Sequence, residues 1–187
     1  MTQDQALALL RDCGAFLEGH FLLSSGRHSG VYVEKFRLLE HPDLTEQIAG
    51  AIAEHFREAN AEIVVGPLTG GVLVAHEVAK ALKLPIAFPE RVDGKMEWRR
   101  GFQIKSGQRV LICEDVVTTG LSVGEVVAAV KREGGNVVGI GALIQRGDTD
   151  LAPTPFAVVT LSLDSYSAEE CPLCKGNVPL AKRGSRT

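Results

Sequence analysis

Apolar residues recur along this chain at two different intervals, and the interval changes from one segment to the next. Residues 3–13 and 42–59 place apolar side chains three and four positions apart, which predicts two amphipathic helices. Residues 21–33 alternate apolar and polar positions around a stretch rich in serine and glycine. This second pattern predicts a hairpin or a loop-linked pair of strands.

Beyond residue 60, short apolar segments and helical patterns follow each other in turn. The predicted strands are 62–65, 86–88, 109–114, 137–145 and 156–161, and the predicted helices are 72–82 and 121–132. Residues 110–113 have no polar alternation at all, which is typical of a strand buried on both faces. Strands that alternate with helices predict an α/β fold with a central, mostly parallel sheet, flanking helices and right-handed crossovers.

The length and composition fit one domain. The chain has 187 residues, of which 45% are hydrophobic, so it can bury a full core but has little room for a second one. The sequence contains no internal repeat, low-complexity tract or linker that would divide it. We therefore expect residues 1–187 to form a single domain, with a core at about 41–165 and a small hood from about 1–40 and 166–187.

Charge and hydropathy argue against several classes of protein. The net charge of −3 and the pI of about 6.0 do not favour a nucleic-acid-binding surface. The sequence has no apolar run that approaches the ~20 residues of a membrane span. Its first residues are polar and acidic, unlike a secretory signal, so the expected location is cytoplasmic.

Two carboxylates, Glu114 and Asp115, stand where the central apolar strand ends. Ligands bind at that edge of open α/β sheets, and carboxylates there can accept hydrogen bonds from ribose hydroxyls. A turn containing Thr118, Thr119, Gly120 and Ser122 follows them. The helix predicted after this turn would direct unpaired amides and the positive end of its dipole at a phosphate. The alternative is an ordinary strand–turn–helix with solvated acids and a threonine cap.

A second turn that suits an anion lies at residues 64–72, where another predicted strand runs into a helix through Gly70 and Gly71. These glycines leave room for a ligand to approach the backbone, and successive amides can form an anion-binding nest. A tight βα turn that needs glycine for its backbone conformation alone would look the same.

Residues 89–101 connect two predicted strands and carry four cations and two glycines. A segment of this length inside a compact domain is usually functional. Its cations could cover a pyrophosphate and exclude water if the segment closes over a ligand: Arg91, Lys95, Arg99 and Arg100. The alternative is a charged hairpin exposed to solvent.

These motifs together carry a family resemblance. Residues 110–122 resemble the phosphoribosyl-pyrophosphate (PRPP) signature of type I phosphoribosyltransferases, and residues 64–72 resemble the pyrophosphate loop of that family. Residues 21–29 with Tyr32, and Arg146 at the end of a predicted strand, narrow the resemblance to the orotate phosphoribosyltransferases over nearly the whole chain. It implies a type I phosphoribosyltransferase fold and transfer of phosphoribose from PRPP to orotate, giving orotidine 5′-monophosphate and pyrophosphate.

The resemblance also implies roles for individual residues. The PRPP-binding residues would be Thr69, Gly70, Gly71, Arg91, Lys95, Glu114, Asp115, Val116, Val117, Thr118, Thr119, Gly120, Leu121 and Ser122. The orotate-binding residues would be Ser24, Tyr32, Thr118 and Arg146, the last as a fork for the orotate carboxylate. The catalytic residues would be Glu114, Asp115, Arg91 and Lys95. The implied cofactor is Mg²⁺, held mainly by PRPP oxygens and waters, with Asp115 as its one candidate protein ligand.

The chain departs from the family pattern at three places. Ser24 and Gly70 stand where many members carry lysine, and residues 89–101 lack the histidine that is common there. We therefore expect the catalytic positive charge to come from Arg91 and Lys95. The resemblance implies a homodimer in which a mobile 89–101 segment completes the neighbouring active site. Two alternatives stay open: transfer to another base (a purine or uracil), and a non-catalytic regulator that senses PRPP.

The four cysteines divide into two groups. Cys13 and Cys113 fall in predicted core positions, whereas Cys171 and Cys174 have the spacing of half a zinc site. The second half is missing, because none of the five histidines lies beyond His76. A reducible disulfide, a metal shared between subunits and an inert pair all remain open.

Overall fold

The computed structural model describes residues 1–23, 25–161 and 164–183. The helices are α1 (Gln3–Asp12), α2 (Lys35–Leu39), α3 (Pro42–His55), α4 (Gly70–Leu82), α5 (Leu121–Arg132) and α6 (Pro172–Lys175). The strands are β1 (Phe16–Leu22), β2 (His28–Val33), β3 (Ile63–Val65), β4 (Ile86–Ala87), β5 (Pro89–Val92), β6 (Lys95–Trp98), β7 (Arg109–Val117), β8 (Asn136–Arg146), β9 (Phe156–Leu161), β10 (Ser165–Tyr166) and β11 (Ala181–Lys182).

A five-stranded sheet forms the centre of the molecule, with the strand order β4-β3-β7-β8-β9. Every neighbouring pair in it is parallel. The prediction of an α/β fold with a central parallel sheet flanked by helices is therefore confirmed. No helix in the described ranges is long and apolar enough to cross a membrane.

Both faces of the sheet are covered, as the unbroken apolar run in β7 predicts. Leu111 and Cys113 pack on one face among residues of α1, α3 and α4, and Val110 and Ile112 pack on the other face against α5. All four side chains are fully buried. The result is a three-layer core in which β7 lies in the middle of the sheet.

Strand β8 lies unusually close to the helix above it. A Cβ atom at Gly139 would overlap the ring of Phe56, and a Cβ atom at Gly141 would overlap Ile52 Cγ2. Glycine is required at both positions because helix α3 and the residue after it occupy the space that a side chain would fill. The close approach fixes the position of β8, whose last residue is Arg146.

A second, four-stranded sheet joins the two ends of the chain, in the order β10-β2-β1-β11. Strands β1 and β2 form the expected antiparallel hairpin, although β1 begins at Phe16, before the alternation at residue 21. Strands β10 and β11 have only two residues each, too few for a period to show in the sequence. We call this sheet the terminal sheet.

Residues 89–101 contain an antiparallel hairpin, β5-β6, which no strand in the sequence prediction covered and which the alternative for this segment named. The hairpin lies on α5, where Trp98 Nε1 donates to the carbonyl of Ala129 at 3.4 Å and Arg132 donates to the carbonyl of Met96 at 3.0 Å. Strand β7 also runs three residues beyond its predicted end, because its pairing with β8 continues to Val117 and Gln145.

Candidate functional site

The candidate site lies where the central sheet changes its direction of winding. The chain leaves β3 through α4 and returns at β4 on one side, whereas it leaves β7 through α5 and returns at β8 on the other side. The carboxyl ends of β3 and β7 are therefore neighbours with diverging connections. Such a switch point opens a crevice in which α/β sheets bind their ligands.

A buried pair of acids occupies this crevice. Glu114 and Asp115 are 7% and 2% exposed, and both belong to β7 itself. The backbone N–H of Asp115 donates to Glu114 Oε1 at 3.0 Å, and the N–H of Val116 donates to Asp115 Oδ1 at 2.5 Å. Lys35 Nζ lies 2.6 Å from Asp115 Oδ2 and offsets its charge. The sequence predicted the two acids but missed the lysine.

The pKa of the Glu114 carboxyl is raised to about 8, first by burial and then by the negative charge of Asp115. Lys35 acts in the opposite direction but does not cancel these effects. Burial and the neighbouring charge therefore favour the protonated form of the Glu114 carboxyl over its charged form.

The turn after β3 closes over the acid pair. A Cβ atom at Gly70 would overlap the Asp115 carboxylate, and one at Gly71 would lie 2.8 Å from Glu114 Oε1. Neither glycine has a positive φ, so close approach to the acids, and not an unusual backbone conformation, requires them. Thr69 precedes them as the N-cap residue of α4.

The second predicted turn connects β7 to α5. Gly120 adopts the left-handed conformation with φ 77° at the N-cap of α5. As a glycine, it has no side chain that could cap the helix. Thr118, Thr119 and Ser122 are exposed around it, and the first turn of α5 has no acidic residue. Thr119 Oγ1 accepts a long, 3.4 Å hydrogen bond from the N–H of Leu121. This helix terminus can therefore receive an anion.

Arg146 lies one strand further along, at the end of β8. Its guanidinium is half-buried, and burial lowers the pKa of Arg146 from its ordinary value. The Nε atom is buried and has no hydrogen-bond partner among the described residues. A buried donor without a partner is costly, so this geometry suits an anionic acceptor supplied by a ligand.

Tyr32 extends the site towards the terminal sheet. Its ring centroid lies 5.6 Å from that of Phe21, and the pKa of the Tyr32 phenol is raised, first by burial and then by Glu34, while Arg146 lowers it. Arg146 and Tyr32 thus share one electrostatic environment. Ser24, the other predicted base contact, lies outside the described residues.

Two of the four cations of residues 89–101 have acidic partners other than the acid pair in this conformation. Arg91 donates to both carboxylate oxygens of Glu125 on α5, and Arg100 Nε lies 2.5 Å from Glu90 Oε1. Lys95 is exposed and forms no ion pair within the described ranges. The structure thus leaves Lys95 available and gives Arg91 a partner that sequence reasoning had not foreseen.

Lys35 could not be found from sequence pattern. It is the first residue of α2, a five-residue helix that has no capping side chain and whose signal is too short to read. Its contact with Asp115 joins residues 80 positions apart, and such a pairing appears only once the chain is folded.

Comparison with known proteins shows the family to which the chain is similar. Residues 36–172 match the family described as the phosphoribosyl transferase domain. A curated relative, the orotate phosphoribosyltransferase of Pelotomaculum thermopropionicum, is 45% identical over 188 residues, with 100% of this chain and 99% of that protein covered.

Solved structures show the same fold. Orotate phosphoribosyltransferase from Aeropyrum pernix superposes with a TM-score of 0.70 at 27% identity, covering 82% of this chain and 92% of that one. The Mycobacterium tuberculosis enzyme, solved in complex with inorganic phosphate, gives a TM-score of 0.68 at 28% identity, with 86% and 96% covered.

The raised pKa of Glu114 predicts how the free energy of unfolding depends on pH. Between the ordinary carboxyl pKa of 4.5 and the folded value of about 8, the folded protein holds a proton that the unfolded chain has lost, so the free energy of unfolding falls as pH rises. Glu114→Gln keeps the acceptor for the Asp115 amide and removes the titration. Urea unfolding between about pH 5 and pH 8 should show the variant gaining stability relative to the parent protein as pH increases.

The control for this experiment is Glu18→Gln, because Glu18 is exposed. Its free energy of unfolding should follow that of the parent protein across the same pH range. If the curves of the parent and Glu114→Gln were parallel, the raised pKa of Glu114 would be wrong.

Proposed function

The chain belongs to the orotate phosphoribosyltransferase family, and we propose that it transfers the 5-phosphoribosyl group of PRPP to orotate. The products are orotidine 5′-monophosphate and pyrophosphate. The reaction is a step in the formation of pyrimidine nucleotides. The observation that carries the proposal is a pair of glycine-containing turns at the carboxyl ends of the adjacent strands β3 and β7, the first of which packs against a buried acid pair at the switch point of the sheet. Full-length similarity to orotate enzymes supports the choice of base.

We propose that PRPP lies across the crevice with its two phosphate ends at the two turns. The hydroxyl-rich turn at residues 118–122 and the N-terminus of α5 would bind the 5′-phosphate. The turn containing Thr69, Gly70 and Gly71 would bind the pyrophosphate through backbone amides. The ribose hydroxyls would then face Glu114 and Asp115, between the two phosphate sites.

Orotate would lie on the β8 side of the ribose. The unpartnered Nε of Arg146 supports a role in binding the orotate carboxylate, since a guanidinium pairs with a carboxylate through two parallel hydrogen bonds. Tyr32 and Thr118 would border the ring, and Ser24 is proposed on the family pattern alone.

The charges of the site suit a displacement with a cationic ribose. In such a transition state, as in glycoside cleavage, positive charge grows on the anomeric carbon while negative charge grows on the leaving group. The negative charge of Asp115 would stabilise the ribose, and Lys35 would keep that carboxylate oriented before the substrate binds. The orotate ring nitrogen forms an anion readily, so the proposal requires no separate general base.

We propose that Lys95 and Arg91 neutralise the departing pyrophosphate after the β5-β6 hairpin moves. Lys95 is exposed, whereas Arg91 would first have to release Glu125. These two cations would replace the lysines that are absent at Ser24 and Gly70.

The residues of the crevice are compatible with Mg²⁺. Carboxylate oxygens are the hard donors that this ion prefers, and Asp115 would be the protein group that holds it. Within the described ranges, the acid pair belongs to no larger group of potential metal ligands, so most ligands would be PRPP oxygens and waters. When bound, the ion would neutralise charge on the pyrophosphate.

We also propose a homodimer in which each β5-β6 hairpin completes the neighbouring site. Three large apolar side chains support an interface, because Phe36, Leu68 and Leu73 are 52%, 51% and 44% exposed. They belong to α2, to the turn before α4 and to α4, and these two helices contact each other. Exposed apolar groups on neighbouring elements are typical of surfaces that bind protein.

The activity is tested by following orotate absorbance with purified protein, PRPP and Mg²⁺, with hypoxanthine, xanthine and uracil in parallel. We expect consumption of orotate alone. Asp115→Asn should lower turnover by about 10² or more, because it removes preorganised charge, while the circular dichroism spectrum is unchanged.

The control for Asp115→Asn is Asp12→Asn at the exposed end of α1, which should retain full turnover. Turnover of another base in place of orotate would overturn the base assignment. Near-parent turnover in folded Asp115→Asn would instead overturn the role of the acid pair.

Arg146→Ala should raise the KM for orotate by about 10² while changing the KM for PRPP far less, because a buried charged hydrogen bond is lost at the base site only. Arg109→Ala is the matched control, since Arg109 lies at the opposite end of the sheet strands. Equal increases in the two KM values would exclude Arg146 as the base anchor.

Mixing two inactive variants tests the shared active site. In a mixed dimer of Lys95→Ala and Asp115→Asn chains, one site receives an intact acid pair from one subunit and an intact hairpin from the other. Random assembly should recover about a quarter of parent activity if hairpins act across the interface. No recovery in verified mixed dimers would show that each hairpin serves its own subunit.

A further inference from the structure

Four potential metal ligands meet at the terminal sheet, away from the acid pair. His20 belongs to β1, His28 begins β2, and Cys171 and Cys174 lie at the start and inside of α6. Their ligand atoms all lie within 4.8 Å of one another. The expectation that the cysteine pair lacks the second half of a zinc site is therefore wrong, because the histidines come from the other end of the chain.

We propose that these four residues form a structural Zn²⁺ site. A tetrahedral zinc ion, with bonds of about 2.3 Å to sulfur and 2.0–2.1 Å to nitrogen, places its ligand atoms roughly 3.3–3.8 Å apart. The distances from His20 Nε2 to Cys171 Sγ and Cys174 Sγ are 3.5 and 3.8 Å, and Cys174 Sγ lies 3.3 Å from His28 Nδ1. The two ring nitrogens are 2.9 Å apart and would separate slightly around the ion.

The far side of the His20 ring supports this assignment. Its Nδ1 lies 2.8 Å from the carbonyl oxygen of Val178, and a carbonyl can only accept, so Nδ1 carries the proton. In the neutral ring, Nε2 then has a free lone pair directed at the cluster. Histidines that bind metals are commonly oriented in this way, by a hydrogen bond from the other ring nitrogen to a backbone carbonyl.

Burial favours a metal over the simpler alternatives. Cys171, His20 and His28 are 0%, 3% and 5% exposed. A disulfide between the cysteines would account for two of the four residues. It would not explain why two histidines are buried beside them. Two thiolates with one Zn²⁺ make a neutral unit with no open position, which is the form of a structural site and the least costly in a buried place.

The ion would hold the segment around α6 to strands β1 and β2. The elements around the cysteines are short, with four residues in α6 and two each in β10 and β11. A metal that joins residues about 150 positions apart would contribute its binding free energy to the folding of this region. Strand β2 continues from His28 to Tyr32, and Lys35 follows, so the ion would also fix elements that border the proposed active site.

The test begins with metal content. The full chain is purified under reducing conditions, incubated with Zn²⁺ and dialysed against metal-free buffer, and its metals are measured by mass spectrometry. We expect about one zinc per chain, with zinc reduced to background in Cys171→Ser and Cys174→Ser. Cys13→Ser, whose thiol lies outside the cluster, should keep the full amount.

Cobalt provides a second readout. Its first measurement is made on the parent protein and therefore does not depend on the folding of a variant. Reduced parent protein loaded with Co²⁺ in place of Zn²⁺ should show the visible absorption of tetrahedral coordination by thiolate. His28→Ala should lose this spectrum, and His76→Ala, at an exposed histidine, should retain it. Removal of zinc by a chelator should also lower the melting temperature by about 5 °C or more in the parent protein and leave Cys174→Ser unchanged.

Three results would overturn the proposal. The first is reduced parent protein that binds neither zinc nor cobalt, and the second is parent-level zinc in both cysteine variants. The third is a Cys171–Cys174 disulfide that survives treatment with a reductant and Zn²⁺. None of these outcomes depends on turnover of orotate, so they are distinguishable from failure of the proposed activity.

Discussion

The burial of two adjacent carboxyl groups in the middle strand of the sheet is the constraint on which the site depends. Glu114 and Asp115 are almost completely removed from solvent, the raised pKa of Glu114 favours its uncharged form, and Lys35 offsets the charge of Asp115. The turn after β3 contains glycine at residues 70 and 71 because any side chain there would meet the acids. The composition of the turn and the contact that the first residue of α2 makes with Asp115 both fit the need to accommodate this pair.

Both sheets contribute residues to the candidate site. The central sheet supplies the strand ends and helix termini that suit phosphates and ribose, and these rest on a fully buried core. The terminal sheet supplies Tyr32 and leads into Lys35, but it is small and joins distant parts of the chain. A metal at its centre would explain how so short a sheet can hold groups in place beside a precisely arranged core.

Sequence reasoning succeeded where a signal is local and failed where a contact spans the chain. The unbroken apolar run of β7 predicts two buried faces, and the acids and glycines that follow it identify the crevice without knowledge of the fold. Lys35 and the pairing of Arg91 with Glu125 have no such signal, because each partner looks like an ordinary surface charge. The same holds for His20 and His28, which meet the cysteines only after the two ends of the chain are brought together.

The two glycines of β8 have a consequence for how this fold can diversify. Gly139 and Gly141 lie beneath Phe56 and Ile52 and admit no side chain, and the strand that they hold ends at Arg146, five residues beyond the last of these contacts. Substitutions in the last residues of β8 should therefore leave the contact with α3 undisturbed. Under the proposed function, in which Arg146 binds the base, a rigid strand with a free end would let the base site change while the sugar-phosphate site is kept.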